Sequence, residues 1–131
     1  MHNDNVNHPS HYTSGPFECI ELTSRYPFLG GNAIKYVYRW QDKNGLEDLR
    51  KALWYLNRAK AESPYEPIGL YPLDSLVPPY GHFHIDDESV HMLRKLARLN
   101  WQNMRGFWKG MAELACDHQS GYTRAKKTLE R

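Results

Sequence analysis

The chemistry-bearing residues are spread through the first sixty positions. His8-Pro9-Ser10-His11-Tyr12 places two imidazoles three residues apart. Such a pair could shuttle protons, hydrogen-bond a phosphate or contribute to a metal site, although a metal site usually needs more ligands than two. Surface histidines are the plainer reading on composition alone. Glu18 and Glu21 share one helix face, and Glu47 and Asp48 open a later helix. Carboxylate pairs at helical spacing hold magnesium against polyphosphates, and Glu18, Glu21 and Asp48 are the candidate metal ligands. The competing reading of Glu47 and Asp48 is that first-turn acids favour the helix dipole; because they are adjacent, their side chains point apart. Lys35, Arg39 and Lys43 recur every four residues, with Tyr36 beside them and Lys51 and Arg58 on the following helix. This stripe suits a phosphate, or else it is a solvated helix face. The chain has no GxxxxGK[ST] phosphate loop, no GxSxG and no credible Cys–His nucleophile pair.

The elements that must position these residues read as mainly α. Residues 1–16, with Pro9, Gly15 and Pro16, form an extended arm. A short helix is predicted from Phe17 to Tyr26, with Phe17, Ile20 and Cys19 inward, ended by Pro27 and the Gly30-Gly31 pair. Asn32 is placed as the N-cap of a second helix to about Lys43, with Ala33, Val37 and Trp40 on its apolar face. Asn44-Gly45 turns the chain into a third helix, Leu46 to Glu62, whose stripe is Leu46, Leu49, Leu53 and Leu56. The short turn makes these two helices an antiparallel hairpin. Residues 63–85 carry five prolines among Tyr65, Tyr71, Tyr80 and Phe83 and read as a Pro-rich central loop or arm. From Asp86 or Asp87 to about His118, the residues Leu93, Ala97, Asn100, Met104, Phe107, Met111 and Leu114 make a heptad seam. One long C-terminal helix is therefore expected, roughly 45–50 Å in length. Its apolar surface is more than the hairpin would cover, so a homo-oligomer through residues 86–118 is expected. Gly106 and Gly110 either weaken that helix or admit another backbone closely. A short helix from Tyr122 closes the chain. The divisions are 1–62, 63–85 and 86–131, within one structural domain overall.

Composition narrows the function classes. The chain has 131 residues, 40% hydrophobic and 24% charged, with nine Tyr and four Trp. That is an ordinary globular balance enriched in aromatics, which suits interfaces or base stacking. A net charge of +2 is too low for a dedicated duplex DNA binder. Cys19 and Cys116 lie far apart without metal spacing and are expected to be free thiols, consistent with a reducing cytoplasm. No run approaches a membrane span, and Met1 to Tyr12 is too polar for a signal peptide.

Several segments, taken in order, resemble a known group of proteins: Asn7-His8-Pro9-Ser10-His11-Tyr12, Glu18-Cys19-Ile20-Glu21, Gly31-Asn32-Ala33-Ile34-Lys35-Tyr36-Val37-Tyr38-Arg39-Trp40, Lys43-Asn44-Gly45-Leu46-Glu47-Asp48-Leu49 and Lys51-Ala52-Leu53-Trp54-Tyr55-Leu56. Over about residues 6–60 the chain resembles a conserved bacteriophage domain of unknown function. A characterised relative of that domain is a coliphage nucleotide kinase that lacks a P-loop and phosphorylates deoxynucleoside monophosphates. The resemblance implies a nucleotide-handling protein in the cytoplasm of an infected bacterium. It also implies that His8, His11, Glu18, Glu21, Asn32, Lys35, Arg39, Glu47, Asp48 and Lys51 contribute to one site.

Three functions follow as expectations. The leading one is kinase-like phosphoryl transfer with Mg2+ and ATP: His8, His11, Glu18 and Glu21 catalytic, and Tyr12, Asn32, Lys35, Tyr36, Arg39, Lys43 and Lys51 binding ligand. The second is a sponge, without cofactor, that sequesters a nucleotide immune signal and stacks it on Tyr12, Tyr36 or Trp40. The third is a helical adaptor that binds a host protein through its Trp/Met surface. None requires duplex DNA or a membrane.

Overall fold

A computed structural model describes residues 12, 15–62, 87–116 and 120–130. Most of the N-terminal arm, including His8 and His11, and the whole Pro-rich stretch 63–85 lie outside the described residues. Within them the chain is mainly α, with six helices and no strand: α1 Cys19–Thr23, α2 Phe28–Arg39, α3 Leu46–Glu62, α4 Asp87–Arg98, α5 Arg105–Ala115 and α6 Ser120–Glu130. No helix is long and apolar enough to cross a membrane.

The hairpin forms as periodicity predicts, but its first helix starts earlier. Gly30 and Gly31 lie inside α2, which begins after Pro27. Proline is at home at a helix entry because its missing N–H costs nothing there. The glycine pair does not end α1. Gly31 lets the turn close, since a Cβ there would sit 3.1 Å from the Thr23 carbonyl oxygen. Asn32 is consequently not an N-cap; its Nδ2 donates back to the Phe28 carbonyl at 2.9 Å. α1 buries Cys19 and Leu22, whereas Ile20 faces solvent. After Arg39 the chain tightens into a 3-10 turn at Trp40–Asp42 and reverses through Gly45, whose φ is +56°. α3 packs on α2, burying Ala52, Leu56 and Ala59 on its side and Ala33, Ile34 and Val37 on that of α2. Leu49 and Leu53 sit at the edge of that core, and Leu46 is exposed.

The expected single helix from 86 to 118 is two helices with a corner between them. Asn100, Gln102 and Asn103 all have positive φ, at 51°, 53° and 62°. Three left-handed residues in four cannot continue a right-handed helix. The corner is tied by the Met104 N–H to the Trp101 carbonyl at 3.0 Å and by Arg105 Nε to the Ala97 carbonyl at 2.8 Å. The heptad residues remain inward on both sides: Leu93, Ala97, Met104, Phe107, Met111 and Leu114 are buried, and only Asn100, at the corner, is exposed. The seam is thus filled by the chain's own helices. The seam residues that suggested self-association are covered within the chain, whereas Leu99 beside the corner stays exposed.

α6 completes the core against α5. A Cβ on Gly110 would lie 2.6 Å from the Gly121 carbonyl oxygen and 2.7 Å from the Ala125 nitrogen, and a Cβ on Gly121 would collide with the Gly110 carbonyl. The two helices therefore meet backbone to backbone. Of the two roles expected for Gly110, close approach is the one realised. α6 also reaches the hairpin, where Tyr122 Oη donates to Asn57 Oδ1 at 2.6 Å.

Candidate functional site

The hairpin turn brings Arg39, at the end of α2, opposite Asp48, in the first turn of α3. Arg39 Nε and NH2 reach the two Asp48 carboxylate oxygens at 3.3 and 3.2 Å. The Asn44 N–H donates to Asp48 Oδ2 at 3.2 Å, and Arg39 NH1 donates to Tyr12 Oη at 2.6 Å. Arg39 is 8% exposed and Asp48 fully buried. Burial opposes the guanidinium charge, but the hydrogen bonds to Asp48 and Tyr12 outweigh it and hold the Arg39 pKa above its ordinary value. Arg39 is thus the inner post of the site. It fastens Tyr12 to the hairpin and is already committed to a carboxylate.

Three cations gather around the Tyr36 ring. Lys35 Nζ lies 4.5 Å from its centroid, the Arg39 guanidinium carbon 4.6 Å and Lys51 Nζ 5.6 Å. These distances are within cation–π range. Tyr36 stacks on Tyr55, centroids 5.7 Å apart and planes inclined by 17°. Phe28 and Trp54 meet Tyr55 edge-on at 6.2 and 5.0 Å. Both are strongly exposed, at 73% and 57%. A cleft of about 280 Å³ beside this face is lined by Phe28, Asn32, Lys35 and the α1–α2 turn. Lys51 makes only a surface pair with Glu47, at 3.5 Å. Such a pair contributes little, so both lysines are available to an anion.

The hairpin therefore gathers Tyr12, Lys35, Tyr36, Arg39 and Lys51, with Asn32 on the adjoining cleft. Lys43 departs from the stripe. It follows the 3-10 turn with φ −133° and ψ −95°, and it is exposed. The proposed metal ligands are engaged elsewhere. Glu18 and Glu21 form a reciprocal capping box on α1, in which the Glu18 N–H donates to Glu21 Oε2 at 2.7 Å. Asp48 is fully buried and accepts from Arg39 on both oxygens and from the Asn44 N–H on Oδ2. No group of three or more His, Cys, Asp or Glu able to hold a metal occurs among the described residues. Glu18, Glu21 and Asp48 do not fit a magnesium site in this geometry. Sequence reasoning missed Tyr55, Trp54 and Phe28 as parts of the face. Their signal was aromatic clustering at 54–55 opposite Tyr36 across a short hairpin.

Behind the site, Cys19 is buried, and its thiol pKa is pushed up to about 12 by burial, against the opposing pull of Lys35 and Arg39. Burial likewise raises the Tyr38 phenol, which donates to the Phe17 carbonyl. Both Cys19 and Cys116 are free thiols.

Neither a curated protein nor a solved structure matches the chain at a significant level. Residues 6–57, which span the arm, α1, α2 and most of α3, match a protein family described as being of unknown function, DUF3310. The similarity thus covers the hairpin site and fewer than half of the 131 residues.

Proposed function

We propose that the hairpin face binds a nucleotide without turning it over. Its phosphate would be held by Lys35 and Lys51 and its base laid against the exposed Phe28–Tyr55–Trp54 edge. One observation carries the reading: two ammonium groups flank the Tyr36 ring, Lys51 held only in a surface pair with Glu47, while the third cation there, Arg39, is neutralised by Asp48. Ammonium groups beside an aromatic surface suit a phosphorylated, planar ligand. Sequestration is favoured over phosphoryl transfer because Glu18, Glu21 and Asp48 are spent on capping and on the Arg39 pair. On this reading, which the resemblance to a phage domain supports, the sponge would act in the cytoplasm of a bacterial host and withhold a nucleotide signal from host defence.

The test is a thermal-shift screen of the full chain against nucleotides, with and without magnesium, followed by mass spectrometry of the bound ligand. A nucleotide at a hundred times its Kd should add about 2.7 kcal/mol of stability. The gain should not need magnesium, should vanish in Lys35→Ala/Lys51→Ala, and the ligand should be recovered intact. No stabilisation by any nucleotide would defeat the reading. Magnesium-dependent conversion of a monophosphate to a diphosphate would replace it with the kinase.

A further inference from the structure

Away from the hairpin, α4, α5 and α6 enclose a groove of about 600 Å³. Its walls carry Arg94 and Arg98 from α4, Arg105 and Lys109 from α5, and Arg124 from α6, against a single carboxylate, Glu113. That is a local net charge of +4 in a chain whose total is +2. Glu113 is already engaged: Arg124 Nε lies 2.8 Å from its Oε1, and Ser120 Oγ donates to its Oε2 at 3.1 Å. Arg105 is oriented by its Nε bond to the Ala97 carbonyl, which leaves its two terminal NH2 groups free to point elsewhere. Arg94, Arg98 and Lys109 have no ion-pair partner among the described residues. The floor is built of small side chains, Ala97, Ala112 and Cys116, which gives the groove its depth.

Like charges gathered in a concavity repel one another unless an anion joins them. The volume lies within the range of small-molecule sites. Guanidinium forks match phosphate oxygens in pairs. No aromatic side chain lines the groove, so it lacks the stacking platform that single-stranded nucleic acid uses. We infer that this groove binds a compact oligophosphate, a short chain of phosphoryl groups recognised through its charge and not through a base. The site is separate from the hairpin face and shares no residue with it.

Calorimetric titration of the full chain with inorganic tripolyphosphate tests this, because that probe has neither base nor sugar. Saturable binding of one equivalent is expected. Arg98→Ala and Lys109→Ala, both at exposed positions, should each weaken it by on the order of tenfold. Arg98→Lys should recover part of the loss, and Arg50→Ala, at an exposed position on α3 outside the groove, should change nothing. Absence of binding, or affinity unaltered in both Arg98→Ala and Lys109→Ala, overturns the inference. So does tighter binding of oligodeoxythymidylate than of tripolyphosphate through the same residues, which would make the groove a nucleic-acid surface.

Discussion

At the scale of single residues, the Arg39–Asp48 pair decides whether the hairpin site exists. Removing one partner of a buried ion pair leaves the other charge stranded in a low-dielectric interior. Asp48→Ala should therefore lower unfolding free energy by roughly 3–5 kcal/mol in urea titrations. Tyr12→Phe removes the hydroxyl that accepts from the guanidinium while leaving Asp48 in place, and should cost about 1–2 kcal/mol. Equal losses for the two would show that the pair is not the dominant contact. The resemblance placed both residues in one site, but as a phosphate-binding cation and a metal-binding carboxylate; that they pair with each other was not legible, because spacing along the chain does not show which charges a tight turn brings together. Cys19 gives the pH dependence. Its folded pKa, about 12, stands above the ordinary thiol value of 9.0. Between those two values the unfolded chain loses the proton and the folded one keeps it, so the folded state binds more protons and stability falls as pH rises. Melting temperature should decline above about pH 9, and Cys19→Ala should remove part of that decline. A decline of the same size in the variant would assign it to other groups.

At the scale of elements, side-chain periodicity located α3 closely and the α2–α3 hairpin as a unit, but it set α2 about one helical turn too late and misread backbone. Gly30-Gly31 looked like a terminator because glycine is costly in helices, yet here the absence of a Cβ lets α1 fold tightly back. The seam from Leu93 to Leu114 ran unbroken through the 99–104 corner because both helices turn their apolar faces to the same core. Periodicity records which residues are inside, not whether the helix between them is continuous; Asn100 and Asn103 were the available signal. The α5–α6 contact is specified by glycine in the same way. Gly121→Ala would drive a methyl into the Gly110 carbonyl and the Leu114 backbone, so it should destabilise by about 1–3 kcal/mol in thermal unfolding. Ala at Gly45 would meet no neighbouring atom and would pay only for its positive φ. A Gly121→Ala melting point equal to wild type would mean that α6 can slide at no cost.

At the scale of the whole molecule, the fold class was readable and the distribution of charge was not. A net +2 describes a nearly neutral surface, whereas the fold gathers +4 into one groove and leaves the remainder of the chain acidic on balance. The corner at 99–104 produces this concentration. Arg94, Arg98, Arg105 and Lys109 fall at four- and seven-residue steps, and on a straight helix they would form a ladder about 22 Å long on one open face. Folded at the corner, that ladder becomes two jaws. Three residues that carry no charge thus convert a rail for extended polymers into a clamp sized for a short one, and a change that straightened them would switch the class of anion the surface suits while leaving every cation in place.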